Sequence, residues 1–155
     1  MQEGVVADAI SALREATELD PTSMAAWCAL GRVYEAQGHM NYAAYYYRKA
    51  VELRPESLIG WRSLGNCCLN MCFDDEAATC YEAAWKIFRK SSRMDPEVYQ
   101  EVLPKLARLY QMRGDDDKVA EVYAEVLLRR FVQDETRTED LGKATSFLVQ
   151  YYSAR

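Results

Sequence analysis

The sequence is short of the residues from which active sites are usually assembled. It has one histidine, His39. That residue falls in a hairpin turn, so a Ser-His-Asp or Cys-His site would have to be built there, and turn polarity accounts for it better. No apolar run reaches the roughly 18 residues that a membrane-crossing helix requires. The opening MQEGVVADAI carries neither a basic n-region nor a long apolar core, so no secretory signal is legible. Positive charge is also scarce: 19 Lys and Arg face 24 Asp and Glu, a formal net charge of −5 with no general pull toward nucleic acid. The five cysteines are Cys28, Cys67, Cys68, Cys72 and Cys80. An odd count at helical positions argues against a disulfide framework and for a reducing compartment, cytosol or nucleus.

What is present is a helix-rich pattern. Half of the 155 residues are apolar and 28% are charged, as in an ordinary folded domain rather than a disordered chain. Residues 24 to 57 organise the rest. Trp27, Leu30, Gly31 and Tyr34 stand at i, i+3, i+4 and i+7, one face of a helix. Ala43, Tyr47 and Ala50 repeat the large-and-small alternation on a second helix. Gly31 and Ala43 lack bulk, which lets two helices approach closely. Gly38 ends the first helix by tolerating positive φ. Arg54-Pro55 turns the chain out of helical geometry and ends the second. One such hairpin cannot cover its own apolar face and needs neighbours.

The period extends in both directions. Subtracting 34 from Ala43, Tyr47, Ala50 and Pro55 gives Ala9, Leu13, Ala16 and Pro21, the second helix of a unit whose first helix is missing, so the chain reads as beginning in mid-repeat. Adding 34 gives Trp61, Leu64, Gly65 and Cys68, then Ala77, Tyr81 and Ala84, with helices expected near 58–71 and 74–90. Cys68 takes the place of a large residue and Arg89 the place of the proline. The next match is Leu103, Leu106, Ala107 and Tyr110, followed by Val119, Tyr123 and Val126. From Ala77 to Val119 the offset is the basic period plus eight. WKIFRKSSRMDPEVYQ therefore holds an insertion, expected as a longer second helix and a turn ending at Asp95-Pro96. The same longer offset, applied again, reaches Thr145, Leu148, Val149 and Tyr152, with FVQDETRTED supplying a second insertion.

This spacing resembles the tetratricopeptide repeat (TPR), a 34-residue helix–turn–helix. All eight of its usual positions are filled between Trp27 and Pro55. The resemblance implies an all-α, right-handed superhelix of antiparallel helix pairs, about eight helices in a single solenoid. Its divisions are expected at 1–23 (second helix of a truncated repeat), 24–57, 58–99 and 100–141 (full repeats, the last two with insertions) and 142–155 (first helix of a truncated repeat). The apolar flanks at either end read as a stretch cut from a longer array, which would self-associate through those ends. A narrower resemblance rests on YYYRKAVELRP, WRSLGNC, the two insertions and ATSFLVQYY. These are similar to the C-terminal TPR region of the subunit 8 family of the anaphase-promoting complex (cyclosome). That resemblance implies a non-catalytic scaffold of a ubiquitin ligase in nucleus and cytoplasm, supporting cell division. Its expected partners are other TPR subunits and a co-activator's N-terminal segment.

The candidate site is the groove that a TPR array lines with its first helices. The positions that should face it are Arg32 and Glu35, with Cys28 beside them, then Arg62, Asn66 and Asn70 near Ile59 and Leu69. Lys105 and Arg108 follow, near Glu101 and Gln111. Arg32, Arg62, Lys105 and Arg108 would form a basic stripe with amides between, suited to an extended peptide carrying carboxylates. The plainer alternative is a solvated face whose cations pair with Glu35 or Glu101. A generic TPR adaptor or co-chaperone is the second functional reading. A clamp for acidic chaperone C-termini fits less well, because Cys28 and Arg32 stand where Lys and Asn are wanted and Glu101 would repel a carboxylate.

An enzyme is the third reading and has little to build on. Cys67, Cys68 and Cys72 share one expected helix without a CxxC pair or a nearby histidine, so small thiols filling helix contacts outweigh a metal cluster. Asp115 to Asp117 lack calcium-loop spacing and suit a helix N-terminus. Arg113-Gly114-Asp115 matches a cell-adhesion triplet by chance within a turn. No cofactor and no metal are expected. Of Tyr45, Tyr46 and Tyr47, the last is the core position, one of the other two should pack between repeats, and the other should face outward.

Overall fold

A computed structural model describes residues 2–91, 95–130 and 138–155. Among the described residues there are eight α-helices, one π-helical turn and no strand. They fall into two compact units, residues 1–93 and 94–155. The first holds α1 (Gln2–Leu19), α2 (Met24–Ala36), α3 (Met40–Leu53), α4 (Leu58–Asn70) and α5 (Asp74–Lys90). The second holds the π turn Val98–Val102, α6 (Leu103–Arg113), α7 (Asp116–Arg130) and α8 (Thr138–Ser153).

In the first unit the period is visible in the termini as well as the cores. Ser23 and Ser57, one period apart, each cap a helix: their hydroxyl oxygens accept from the Ala26 amide at 3.4 Å and the Gly60 amide at 3.2 Å. At the other end of α2, Gly38 (φ 79°) is the left-handed residue of a Schellman turn. Its amide donates to Glu35 O at 2.9 Å, and that of His39 to Tyr34 O at 2.9 Å. The turn after α4 repeats this geometry at Cys72 (φ 61°), whose amide donates to Leu69 O while that of Phe73 donates to Cys68 O. Cys72 is thus a turn residue and not part of the helix that carries Cys67 and Cys68.

The hairpins pack by setting a tyrosine ring on a glycine. A Cβ at Gly31 would lie 2.7 Å from Tyr47 Cε1, and one at Gly65 would lie 2.8 Å from Tyr81 Cε1. Leu30, Ala43 and Ala50, and in the next hairpin Ala77 and Ala84, are fully buried around those rings. The tryptophans behave differently from the core role their spacing implies. Trp27 and Trp61 are half-buried, and each reaches back to the preceding turn, the indole N–H donating to Pro21 O at 2.9 Å and Pro55 O at 2.7 Å. They tie each first helix to the turn before it, with the indole N–H paired rather than stranded in the core.

The second unit starts helical structure at Pro96, where the sequence places a turn ending in a proline suited to a first helical turn, and it meets a second proline at Pro104. A proline inside a helix has no amide to donate and its ring crowds the carbonyl of residue i−4. Here the chain takes a π turn just upstream, with the Leu103 amide donating to Val98 O, which widens the backbone where the ring sits. Val98, Val102, Leu103, Leu106 and Ala107 are all fully buried. Gly114 (φ 75°) gives the third Schellman turn, its amide to Gln111 O and that of Asp115 to Tyr110 O. α8 begins at Thr138, ahead of the boundary at 142 read from the period. It packs on α7 through Ala144 and through Phe147, whose ring meets Tyr123 edge-on at 5.4 Å. The second insertion, 131–137, and residues 92–94 of the first lie outside the described residues. α5 continues to Lys90 and is 17 residues long against 14 for α3, which accounts for part of the first insertion as a longer second helix.

Candidate protein-binding faces

The expected groove residues divide between the units, and their side chains differ in how far they are already engaged. On α2, Arg32 is exposed, whereas Glu35 is half-buried and accepts the Tyr47 hydroxyl at 2.6 Å. On α4, Asn66 is half-buried and its Oδ1 accepts from the Tyr81 hydroxyl at 2.5 Å. Each buried tyrosine ring therefore puts its hydroxyl at a polar side chain of the first helix, which satisfies a donor that water does not reach. Burial, then the Glu35 carboxylate, pushes the Tyr47 phenol well above its ordinary range. Arg62 is half-buried, and Asn70 is exposed with its amide 3.9 Å from Met40 Sδ. In the second unit Lys105 pairs with Glu101 at 3.0 Å, the plainer alternative raised for that face, while Arg108 is exposed.

The cysteines sort by depth. Cys67, Cys68 and Cys80 are buried, Cys28 is half-buried and Cys72 is exposed. Burial, reinforced by the nearby Glu35, pushes the Cys67 thiol up to about 12. A hydrogen bond with Cys80 draws the Cys68 thiol down and Cys80 up, beside Glu76, whose carboxylate lies 3.9 Å from Cys68 Sγ and 3.3 Å from Arg48. Cys68 is 1% exposed, so this polarised pair offers no approach to a substrate. Burial raises the Cys28 thiol, with Arg32 opposing. Among the described residues no three His, Cys, Asp or Glu side chains converge as a metal site would need, and no helix is long and apolar enough to cross a membrane.

Two features sharpen the sequence reading. Tyr46 stacks on Tyr34 (centroids 5.3 Å, 9° between planes) and lies 6.0 Å from Trp27, while the Arg14 guanidinium donates to the Tyr34 hydroxyl at 2.9 Å. So Tyr46 stacks on α2 within its own hairpin, where the sequence reading sets one of the pair between repeats, and Tyr45, 53% exposed, faces outward. The second is an open groove of about 710 Å³ between α1 and α2, lined by Val6, Ala9 and Leu13 on one side and Ala29, Val33 and Ala36 on the other. Its signal was available in the period, since Leu13, Ala29 and Val33 are Tyr47, Ser63 and Cys67 less 34.

Antiparallel helical hairpins, capped and turned alike one period apart and joined by tyrosine-on-glycine contacts, define a helical-repeat fold. Residues 24–57 match the family model of the tetratricopeptide repeat. No curated protein sequence matches the chain. Among solved structures, the crystal structure of MamA is similar over 98% of this chain and 87% of its own, with 21% identity and a TM-score of 0.68. A Podosopora anserina protein with nearly identical TPR-like repeats is similar over 99% of this chain and 80% of its own, with 20% identity and a TM-score of 0.67. At such identities the likeness establishes a shared fold.

Proposed function

We propose that the chain is a non-catalytic scaffold that holds an extended protein segment bearing carboxylates against the first helices of its hairpins. The observation that carries this is the division of labour on α2 and α4. Glu35 and Asn66 are spent on buried tyrosine hydroxyls, and Arg32 and Asn70 remain exposed beside them. A guanidinium meets a carboxylate in bidentate fashion and an amide grips a peptide backbone, which together suit an extended acidic ligand. Arg32→Glu should weaken binding of such a peptide about tenfold, the order expected for reversing one charge-assisted contact, without lowering the melting temperature. Fluorescence polarisation beside a thermal melt reads both. Unchanged affinity with a lowered melting temperature would place Arg32 in the fold and not in the site.

The particular scaffold we infer is the C-terminal TPR region of a cyclosome subunit, acting in nucleus and cytoplasm on other TPR subunits and a co-activator segment. It rests on the resemblance of YYYRKAVELRP, WRSLGNC, the two insertions and ATSFLVQYY to that subunit family. A free TPR adaptor is the second reading, and the repeat match at residues 24–57 accommodates it equally. Pull-down of the tagged full-length protein from dividing cells separates them. Recovery of cyclosome subunits supports the first, and recovery of chaperones through their acidic C-termini supports the second.

A further inference from the structure

Within the first unit, Cys68 and Cys80 meet across the α4–α5 hairpin. Subtracting 34 from their numbers gives Tyr34 and Tyr46, whose rings stack across the α2–α3 hairpin with centroids 5.3 Å apart. The longer offset leads from the same two positions to Tyr110 and Val122. The middle hairpin alone sets two thiols at this meeting point. Cys68 is 1% exposed and Cys80 6%, and the Cys80 thiol donates to the Cys68 sulfur. Gly65 under the Tyr81 ring, with Ala77 and Ala78 both 0% exposed, holds the two backbones close here. Close backbones are what the short Cβ separation of a disulfide, about 3.8 Å, requires.

Charged neighbours complete the arrangement. Glu76 stands one turn before Cys80 on α5, and its carboxylate accepts from the Cys68 thiol across 3.9 Å. Arg48 of α3 pairs with that carboxylate at 3.3 Å. A relay therefore runs from Cys80 through Cys68 to Glu76, and the guanidinium beside it favours a thiolate at Cys68. The other thiols lack this setting. Burial and Glu35 hold the proton on Cys67, pushing that thiol up to about 12, and Cys72 stands outside the hairpin core in the exposed turn. Burial shuts large reagents out of the Cys68–Cys80 pair. A peroxide is scarcely larger than water, and Cys80 keeps some surface through which one can arrive.

We propose that Cys68 and Cys80 form an oxidative modification site, at which a peroxide joins them as a disulfide that staples α4 to α5. In the first step the Cys68 sulfur attacks one peroxide oxygen and the O–O bond breaks. Cys68 becomes a sulfenic acid, and its thiol proton, relayed by Glu76, leaves with the departing oxygen as water. In the second step the Cys80 sulfur attacks the Cys68 sulfur and the S–O bond breaks. The hydroxide leaves with the Cys80 proton as a second water. Two sulfurs thus give up two electrons and two protons, and one peroxide becomes two waters. In a reducing compartment both thiols stand reduced, so the bond records an oxidising event and is no part of a framework. The proposal does not depend on the peptide reading of Arg32.

The test is a peptide map of the full chain after hydrogen peroxide in native buffer, with remaining thiols blocked under denaturing conditions before digestion. Cleavage after Lys and Arg and before Asp separates residues 63–73, which carry Cys67, Cys68 and Cys72, from residues 75–86, which carry Cys80. The two peptides should be recovered joined, with fragmentation assigning the bond to Cys68, and a dithiol reductant should part them. The oxidised chain should melt roughly 5 °C above the reduced one, as closing a short loop predicts. Cys72→Ser, at an exposed position, should retain the bond, and Cys80→Ser should abolish it. The map of the unmutated chain decides the matter even where Cys80→Ser fails to fold. Peptides that stay separate overturn the proposal, as does a bond that engages Cys67 or Cys72 or that forms only in urea. A Cys68–Cys80 bond that leaves the melting temperature unchanged is no staple and overturns it too.

Discussion

At the scale of single residues, the clearest lesson is Cys72. It stands at the register of Gly38 and adopts the same left-handed conformation, which costs an L-residue with a side chain roughly 1–2 kcal/mol. Cys72→Gly should raise stability by about 1 kcal/mol, measured by urea denaturation, and Gly38→Ala should lower it by a similar amount. Depth orders the thiols in the same way. With a maleimide in native buffer, Cys72 should react first and Cys28 more slowly, while Cys67, Cys68 and Cys80 wait for unfolding. Cys67 also sets a pH dependence. Its thiol is raised to about 12 in the folded chain from the ordinary value of 9.0, so between those values the unfolded chain loses a proton that the folded chain keeps. Folded protein binds more protons there, and stability falls as pH rises above 9. The melting temperature of Cys67→Ala should decline less steeply over that interval than that of the parent.

At the scale of helices, the tyrosine-on-glycine contacts decide which pairs lock. Gly65→Ala places a methyl 2.8 Å from the Tyr81 ring, and the strain of overpacking should cost about 1–3 kcal/mol although alanine is the better helix former. Trp61→Ala should cost less than the ~3–5 kcal/mol of a fully buried aromatic, because the indole is half-buried and works chiefly as a tie to Pro55 O. Chemical denaturation of the two variants against the parent checks both. The π turn belongs to this scale too. Pro104 was visible in the sequence, but the period placed it in a first helix without saying how the backbone would accommodate it. The answer, one widened turn at Val98–Val102, depends on the buried valines and leucine around it holding that stretch helical.

At the scale of the molecule, stability in a repeat array is a sum over neighbours, so helices covered on one side open first. Within the first unit, hydrogen exchange should find α2 to α4 more protected than α1. Slow exchange throughout α1 in the dilute chain would mean that its groove face is better covered than half-buried Ala9 and Leu13 indicate.

The sequence by itself determined the period, the large-and-small pairing and the places where turns fall. Those follow from which side chains share a helical face, and a face is a local property of spacing. It also located the candidate positions Arg32, Glu35, Arg62, Asn66, Asn70, Lys105 and Arg108. Only the tertiary structure decided which of these are already engaged. Glu35 and Asn66 meet tyrosine hydroxyls 12 and 15 residues further along, on the opposing helix. Lys105 meets Glu101 one turn away. Whether a polar group is free depends on what stands across from it, and what stands across is set by the packing of whole helices, which no local pattern records.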